Sequence, residues 1–261
     1  MTDSGEEKLL NVSEIQHFST GDGPGIRTTV FVKGCNLHCP WCHNPETVSP
    51  LPQKLVFSGS GKTVIYGRKM SAEAVAAEVL EDREFYGADG GLTVSGGEPM
   101  LQADAVSGLM RILERDGIRT VIDTAACVPW EKFAPLLGRV QTFLVDYKTS
   151  SDETYAGQIG GDRETVIDNI RRLIGAGETV RVRVPLIPGV NTSDTDASLM
   201  CGQLAKAGVK TVDLLPFHRL GSAKYTAMGK EYAYAGISPP DAETVSRLRS
   251  IFAGYFDCFV E

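Results

Sequence analysis

No stretch of the chain approaches the roughly 20 apolar residues that a membrane-spanning helix needs. The opening residues, MTDSGEEKLL, are polar and acidic where a secretory leader is basic and then apolar. Both absences point to a cytoplasmic protein with no membrane association. Basic charge is also scarce: 26 Lys and Arg stand against 33 Asp and Glu, a formal charge of −7, which argues against a nucleic-acid partner bound by phosphate neutralisation. Cysteine is sparse and unevenly placed. Of the six, Cys127, Cys201 and Cys258 lie far apart, Cys35, Cys39 and Cys42 fall within eight positions, and residues 43 to 98 contain none. That distribution does not suit a disulfide framework and does suit a metal site in a reducing compartment. Internal repeats and low-complexity tracts are absent too.

What is present is enough apolar material for a sizeable core, 42% of 261 residues, read as one α/β domain spanning 1–261. Six β-rich segments, at 26–34, 91–99, 119–124, 141–148, 179–186 and 210–217, alternate with amphipathic helical patterns. Ala72, Val75, Ala76, Val79 and Leu80 repeat at helical spacing behind Ser71, placed as an N-cap; Val106, Leu109, Met110 and Leu113 do so before Gly117, and Val166, Ile170 and Leu173 before Gly175. A last helix is expected at about 240–253. Cys201 shares a predicted buried helix face with Ala197, Met200, Leu204 and Ala205, where it serves as a small hydrophobe. Residues 50–67 read as an inserted hairpin around SGSG. Strands separated by helices imply a parallel sheet, either doubly wound or curled into a full or partial barrel, with ligands at the C-terminal strand ends. The cysteines, SGGEP, DT, DYK and PFH all fall at those ends.

The cysteine loop, GCNLHCPWCHN, supplies three thiols at C-x3-C-x2-C. Three thiolates can hold three corners of a [4Fe-4S] cluster and leave its fourth iron without a protein ligand. The other reading is a structural zinc site completed by His38 or His43; zinc more often takes paired C-x2-C or H-x3-H ligands, and no second pair exists here. Ligand number and spacing favour the open cluster.

The string DGPGIRTTVFVKGCNLHCPWCHN resembles the signature of radical S-adenosylmethionine (SAM) enzymes, and among them the activating enzymes of glycyl radical enzymes. The shared pattern falls on Gly23, Gly25, Arg27, Phe31, Gly34, Cys35, Cys39, Cys42 and Asn44. The likeness continues through GGLTVSGGEP, IDT, VDYK, RVRVPLIPG, LLPFHRLG and AMG, nearly the whole chain. It implies a partial (β/α)6 barrel, a [4Fe-4S] cluster on Cys35, Cys39 and Cys42, and SAM bound to the open iron by its amino and carboxylate groups. It implies a 5′-deoxyadenosyl radical that takes a hydrogen from a glycine of a partner glycyl radical enzyme.

The same resemblance assigns further residues. Gly96, Gly97 and Glu98 face the SAM amino group, and Trp41 and His43 flank the adenine. Lys148 faces the SAM carboxylate, and Asp146 the ribose or a cation. Asp123 and Thr124, with Asp146, match a monovalent-cation site; Arg183 and His218 line the barrel interior, with His218 toward the adenosine, and Asp22 either makes an Asx turn or meets the partner's glycine loop. From the residues alone, Asp146 and Lys148 alternate about Tyr147 and so share one strand face, as a common surface ion pair would. Many such activating enzymes carry a ferredoxin-like, eight-cysteine insertion between the cluster loop and SGGEP; here residues 43–98 contain no cysteine. A single cluster, a monomer and direct reduction by flavodoxin or ferredoxin are therefore expected. Two other readings remain at this point: a radical SAM enzyme acting on a small molecule, and a non-catalytic zinc or iron binding module.

Overall fold

The structure is a computed structural model that describes residues 9–261; most of the acidic opening stretch lies outside the described residues. Strands β1 (Leu10–Ser19), β2 (Arg27–Val32), β3 (Gln53–Phe57), β4 (Lys62–Tyr66) and β5 (Arg68–Met70) come first, then helix α1 (Ala72–Glu81), β6 (Gly91–Gly96), α2 (Ala103–Glu114), β7 (Arg119–Thr124) and β8 (Thr142–Asp146). There follow the short α3 (Asp152–Thr154), α4 (Arg163–Gly175), β9 (Val180–Leu186), α5 (Asp194–Ala207), β10 (Thr211–Pro216), α6 (Ser222–Ala227), α7 (Ala242–Ala253) and β11 (Asp257–Val260).

One sheet carries the order β11-β10-β9-β8-β7-β6-β2-β1-β5. From β2 through β11 its neighbours run parallel, and β1 joins β2 and β5 antiparallel. Its two edges, β5 and β11, are not paired, so the barrel is partial and open. All six expected strands are present. β1, β5 and β11 were not expected, and they extend the sheet at both ends. The inserted hairpin is the antiparallel pair β3–β4.

The helices form where periodicity placed them. The Ser71 side chain accepts from Ala74 N–H at 3.1 Å and caps α1, and Asp162, Ser193 and Asp241 cap α4, α5 and α7 in the same way. Helix α4 takes in Gly175 as its last residue instead of stopping before it. On α5, Ala197, Met200, Cys201 and Leu204 are buried as expected, but Ala205 is exposed and Ala207 is buried in its place. Val30, Val32, Leu92, Val94, Ile122, Phe143 and Val145 are buried on the strands and join helix residues such as Leu109, Ile170 and Leu204 in one core.

At the N-terminal end of the parallel strands, the fully buried Arg27 spreads its guanidinium over the barrel floor. It donates to Thr93 Oγ1 at 2.6 Å and to the carbonyls of Leu92 at 2.6 Å, Pro24 at 2.8 Å, Asp89 at 3.0 Å and Arg119 at 3.2 Å. Its planar fork of donors is what a ring of carbonyls from several strand starts requires. Arg27 belongs to the signature string, yet it acts at the end of the barrel opposite the strand C-termini.

Candidate cluster and ligand site

A cavity of about 460 Å³ opens at the C-terminal ends of the parallel strands. Cys35, Cys39, Cys42, Trp41 and His43 line it from the loop after β2, Gly96 and Gly97 from the end of β6, and Asp123 and Thr124 from the end of β7. Asp146 and Lys148 enter from β8, Arg183 from β9 and His218 from beyond β10. The structure therefore gathers every residue assigned by resemblance around one cavity, apart from Glu98 and Asp22.

Backbone contacts hold the cysteine loop. Gly34 N–H and Cys35 N–H donate to the carbonyls of Thr47 and Val48 at 2.7 and 3.0 Å, and His38 N–H donates to Ile159 O at 2.7 Å. Asn36 Nδ2 donates to Cys127 O at 2.7 Å. Behind the loop lies the SGGEP turn. A Cβ on Gly97 would come within 2.2 Å of Gly34 O, and one on Gly96, at φ 110, within 2.4 Å of Val32 N. These glycines are required first by backbone packed on backbone. Glu98 continues the same bracket: its N–H donates to Gly34 O at 2.8 Å.

The Glu98 side chain faces away from the cavity. It is fully buried and accepts from Thr124 Oγ1 at 2.6 Å, Ala125 N at 2.9 Å and Met100 N at 3.0 Å, tying the end of β6 to the end of β7. Burial pushes its carboxyl up to about 7, against the pull of those three donors. Thr124 Oγ1 also accepts from Ala126 N–H at 2.9 Å, and Ala126 sits in the left-handed region at φ 52. Asn169 Nδ2 bonds the carbonyls of Ala126 and Val128, both at 2.8 Å, so the strained segment is held from two sides.

Charges are paired across the cavity wall. Lys148 Nζ meets Asp146 Oδ2 at 2.7 Å; burial disfavours the ammonium, but Asp146 outweighs it and keeps Lys148 charged. Arg183 lies 3.6 Å from Asp123 Oδ2 and 3.6 Å from Glu261 Oε2, and its Nε has no partner. Ser95 Oγ donates to Asp123 at 2.7 Å. Asp123 and Asp146 thus each face a cationic side chain, and a monovalent cation would have to share them with Arg183 and Lys148. Asp22 lies outside the cavity, where its carboxylate accepts from Thr29 Oγ1 at 2.8 Å.

The aromatic wall is His43 stacked on His218, with ring centroids 4.1 Å apart. His43 Nε2 lies 2.9 Å from His218 O, and because a carbonyl only accepts, Nε2 carries the proton. Burial, then His218, drives the His43 pKa down to about 4, so the ring is neutral at pH 7. Trp41 is buried and meets Tyr234 edge-on at 5.7 Å. Ser95 and Glu261 also line the cavity, and Lys224 bonds Asn44 and Glu46 of the cysteine loop from outside it; sequence reasoning missed all three. Of these, only Ser95 sits in a segment that had drawn notice.

The donor set fits an iron–sulfur group. Burial pushes Cys35 to about 11 and Cys42 to about 12, and Cys39 upward too, so these thiols ionise only when a cationic group takes the charge. Among the described residues, no set of three or more His, Cys, Asp or Glu side chains converges on a single-ion position. His38 is exposed on the loop, and His43 stacks on His218 with its Nε2 bonded to His218 O. Three thiols framing a cavity walled by an ion pair, a half-satisfied arginine and a flat aromatic pair define a class of site: an open-cornered cluster facing a ligand with a charged end and a planar ring.

Residues 29–200 match the Radical SAM superfamily. The chain is 34% identical to benzylsuccinate synthase activating enzyme from Thauera aromatica, over 91% of this chain and 88% of that protein. It is 31% identical to pyruvate formate-lyase 2-activating enzyme from Escherichia coli K12, over 94% and 90%. Among solved structures, a radical SAM methyltransferase from Sphaerobacter thermophilus superposes with a TM-score of 0.64 at 20% identity, covering 97% of this chain and 77% of that one, a likeness of fold. The chain belongs to the radical SAM superfamily, in the group of activating enzymes represented by the first two relatives. A [4Fe-4S] cluster and SAM follow from that membership. The alignment to the Thauera protein runs over 292 positions, more than the 261 residues here, so that relative carries residues this chain lacks. Among the described residues no helix is long and apolar enough to cross a membrane.

Proposed function

We propose that this protein activates a glycyl radical enzyme by removing a hydrogen atom from one of that partner's glycines. The observation that carries the reading is the convergence of the three half-buried thiols with Gly96, Gly97, Asp146, Lys148, Arg183 and His218 on one cavity, in a chain that aligns with activating enzymes over most of its length. When bound, the cluster and SAM supply the one-electron chemistry that makes the hydrogen abstraction possible.

The chain's own residues bind, orient and exclude. Cys35, Cys39 and Cys42 hold the cluster, and the backbone clamps on either side of their loop fix its position. Lys148 stays charged in a buried setting and so offers an ammonium to a carboxylate, with Asp146 free to accept from hydroxyl or ammonium donors on its other oxygen. Arg183 carries an unpartnered Nε and two long contacts, capacity that a ligand carboxylate can take up. Neutral His43 stacked on His218 gives a flat apolar face for a purine ring. Trp41 and Tyr234 close the wall behind them.

Lacking cysteine between 43 and 98, the chain takes its electron directly from a flavodoxin or ferredoxin, and it works as a cytoplasmic monomer beside its partner. The test is anaerobic reduction of the reconstituted protein with SAM. Methionine and 5′-deoxyadenosine are the expected products, with a glycine-centred radical visible by electron paramagnetic resonance once the partner is added. Radical transfer to a small molecule in place of a protein glycine would overturn the proposal.

A further inference from the structure

The segment after β10 reaches back to the cysteine loop through side-chain contacts that span 178 and 180 residues of sequence. Lys224 Nζ donates to Asn44 Oδ1 at 2.8 Å and to Glu46 Oε1 at 2.6 Å. Glu46 is buried, at 2% exposed, and its second carboxylate oxygen has no partner. The backbone carbonyl of Glu46 is taken by the buried ammonium of Lys33. At the other end of the segment, Gly221 presses on the loop so closely that a Cβ there would lie 3.0 Å from His43 Cα. The loop carrying Cys42 is therefore gripped at His43, Asn44 and Glu46 by one short stretch of chain.

A lysine ammonium has only donors, and an Asn side chain has one oxygen and one NH2 group. With Lys224 on its oxygen, Asn44 must turn its NH2 elsewhere, and Asn44 lines the cavity. The orientation of one amide, two residues from a cluster ligand, is thus set by a residue that does not itself line the cavity.

We propose that Lys224 is a positioning residue: it fixes the Asn44 amide with its NH2 toward the cavity, as a hydrogen-bond donor to an acceptor on the cluster or on SAM. The inference rests on the reading of the cavity given above. A donor to cluster sulfur raises the reduction potential, and a donor to SAM raises its affinity, so two measurements separate the two acceptors.

The experiment compares reconstituted wild type, Asn44→Ala, the double variant Lys224→Met with Glu46→Gln, and the triple variant combining them. Pairing Glu46→Gln with Lys224→Met avoids leaving a buried carboxylate without its cation, which by itself endangers folding. All four should hold the same iron per chain. Asn44→Ala and the double variant should show the same change: SAM binding weaker by about tenfold, the low end of what loss of an outer-shell partner causes, or a more negative cluster midpoint by redox titration. The triple variant should add nothing further, because both changes break one linkage. An unchanged SAM affinity and midpoint in the double variant, with only its thermal midpoint lowered, would reduce Lys224 to a structural tie and overturn the proposal. If wild type itself neither holds iron nor binds SAM, the underlying reading of the cavity is what fails, a result distinct from a functional wild type with an indifferent variant.

Discussion

Replacing Gly97 with alanine should damage the site through the backbone alone. The added methyl would sit 2.2 Å from Gly34 O, 2.7 Å from Gly34 C and 3.0 Å from Thr47 O. Non-bonded heavy atoms rest at roughly 3.5 Å, so the carbonyl must withdraw by about 1 Å. That movement breaks the Glu98 N–H bond to Gly34 O, now 2.8 Å. Orphaning the buried donor costs about 1–3 kcal/mol, and residual overpacking adds about 1–3 kcal/mol. The expected loss of about 2–6 kcal/mol is a large share of the 5–15 kcal/mol that holds a typical domain together. It falls on the residue next to Cys35. Urea unfolding and iron content after anaerobic reconstitution give the readings, with Gly21→Ala as control, since a Cβ at exposed Gly21 meets nothing within 4 Å. Wild-type stability and wild-type iron in Gly97→Ala would refute the argument that these glycines exist for backbone contact.

Alanine at Cys35, Cys39 or Cys42 should abolish iron binding, whereas alanine at Cys127, Cys201 or Cys258 should leave roughly four irons per chain, the stoichiometry of one [4Fe-4S] group; eight or more irons would mean a second cluster. Glu98, with its carboxyl raised to about 7 in the fold, keeps a proton that the unfolded chain releases near its ordinary 4.5. Stability should therefore fall by about 3 kcal/mol as pH rises from about 4.5 to about 7 and level off above that. Subtracting the urea curves of Glu98→Gln from those of wild type isolates the effect, and parallel curves would count against it. Arg27→Met should destabilise the protein by about 2–4 kcal/mol, because several buried carbonyls lose a charged donor while a desolvated cation is removed. Because the floor is remote from the cavity, iron content per folded chain should not change.

Much of this site was legible because a parallel sheet presents its ligand-binding residues at the strand C-termini, and short motifs at those ends are visible in sequence. Asp146 and Lys148 share a face by strand alternation alone. β1 escaped notice because its alternation is broken by register shifts between Val12 and Glu14 and between Gln16 and Ser19, and because Asn11 and Ser13 are buried polar residues. β5 and β11 are three and four residues long, too short to show a period. The side-chain direction of Glu98 was not legible, since a strand-end carboxylate can serve either the cavity or its neighbouring strand. Lys224 was invisible for another reason: its partners lie 178 and 180 residues away, and nothing local marks a lysine on a short helix as belonging to a cysteine loop.

The grip on that loop also fixes an order of events during synthesis. The three thiols leave the ribosome early, while Cys127, Ile159, His218 and Lys224, which anchor their loop, follow 91 to 180 residues behind Asn36 to Glu46. Until those segments arrive, the thiols lie on a nascent chain without walls, open to any stray metal or oxidant. Closure of such long separations comes late in folding. The loop is therefore in its final shape only once most of the barrel stands, and iron delivered to it then enters a nearly finished protein.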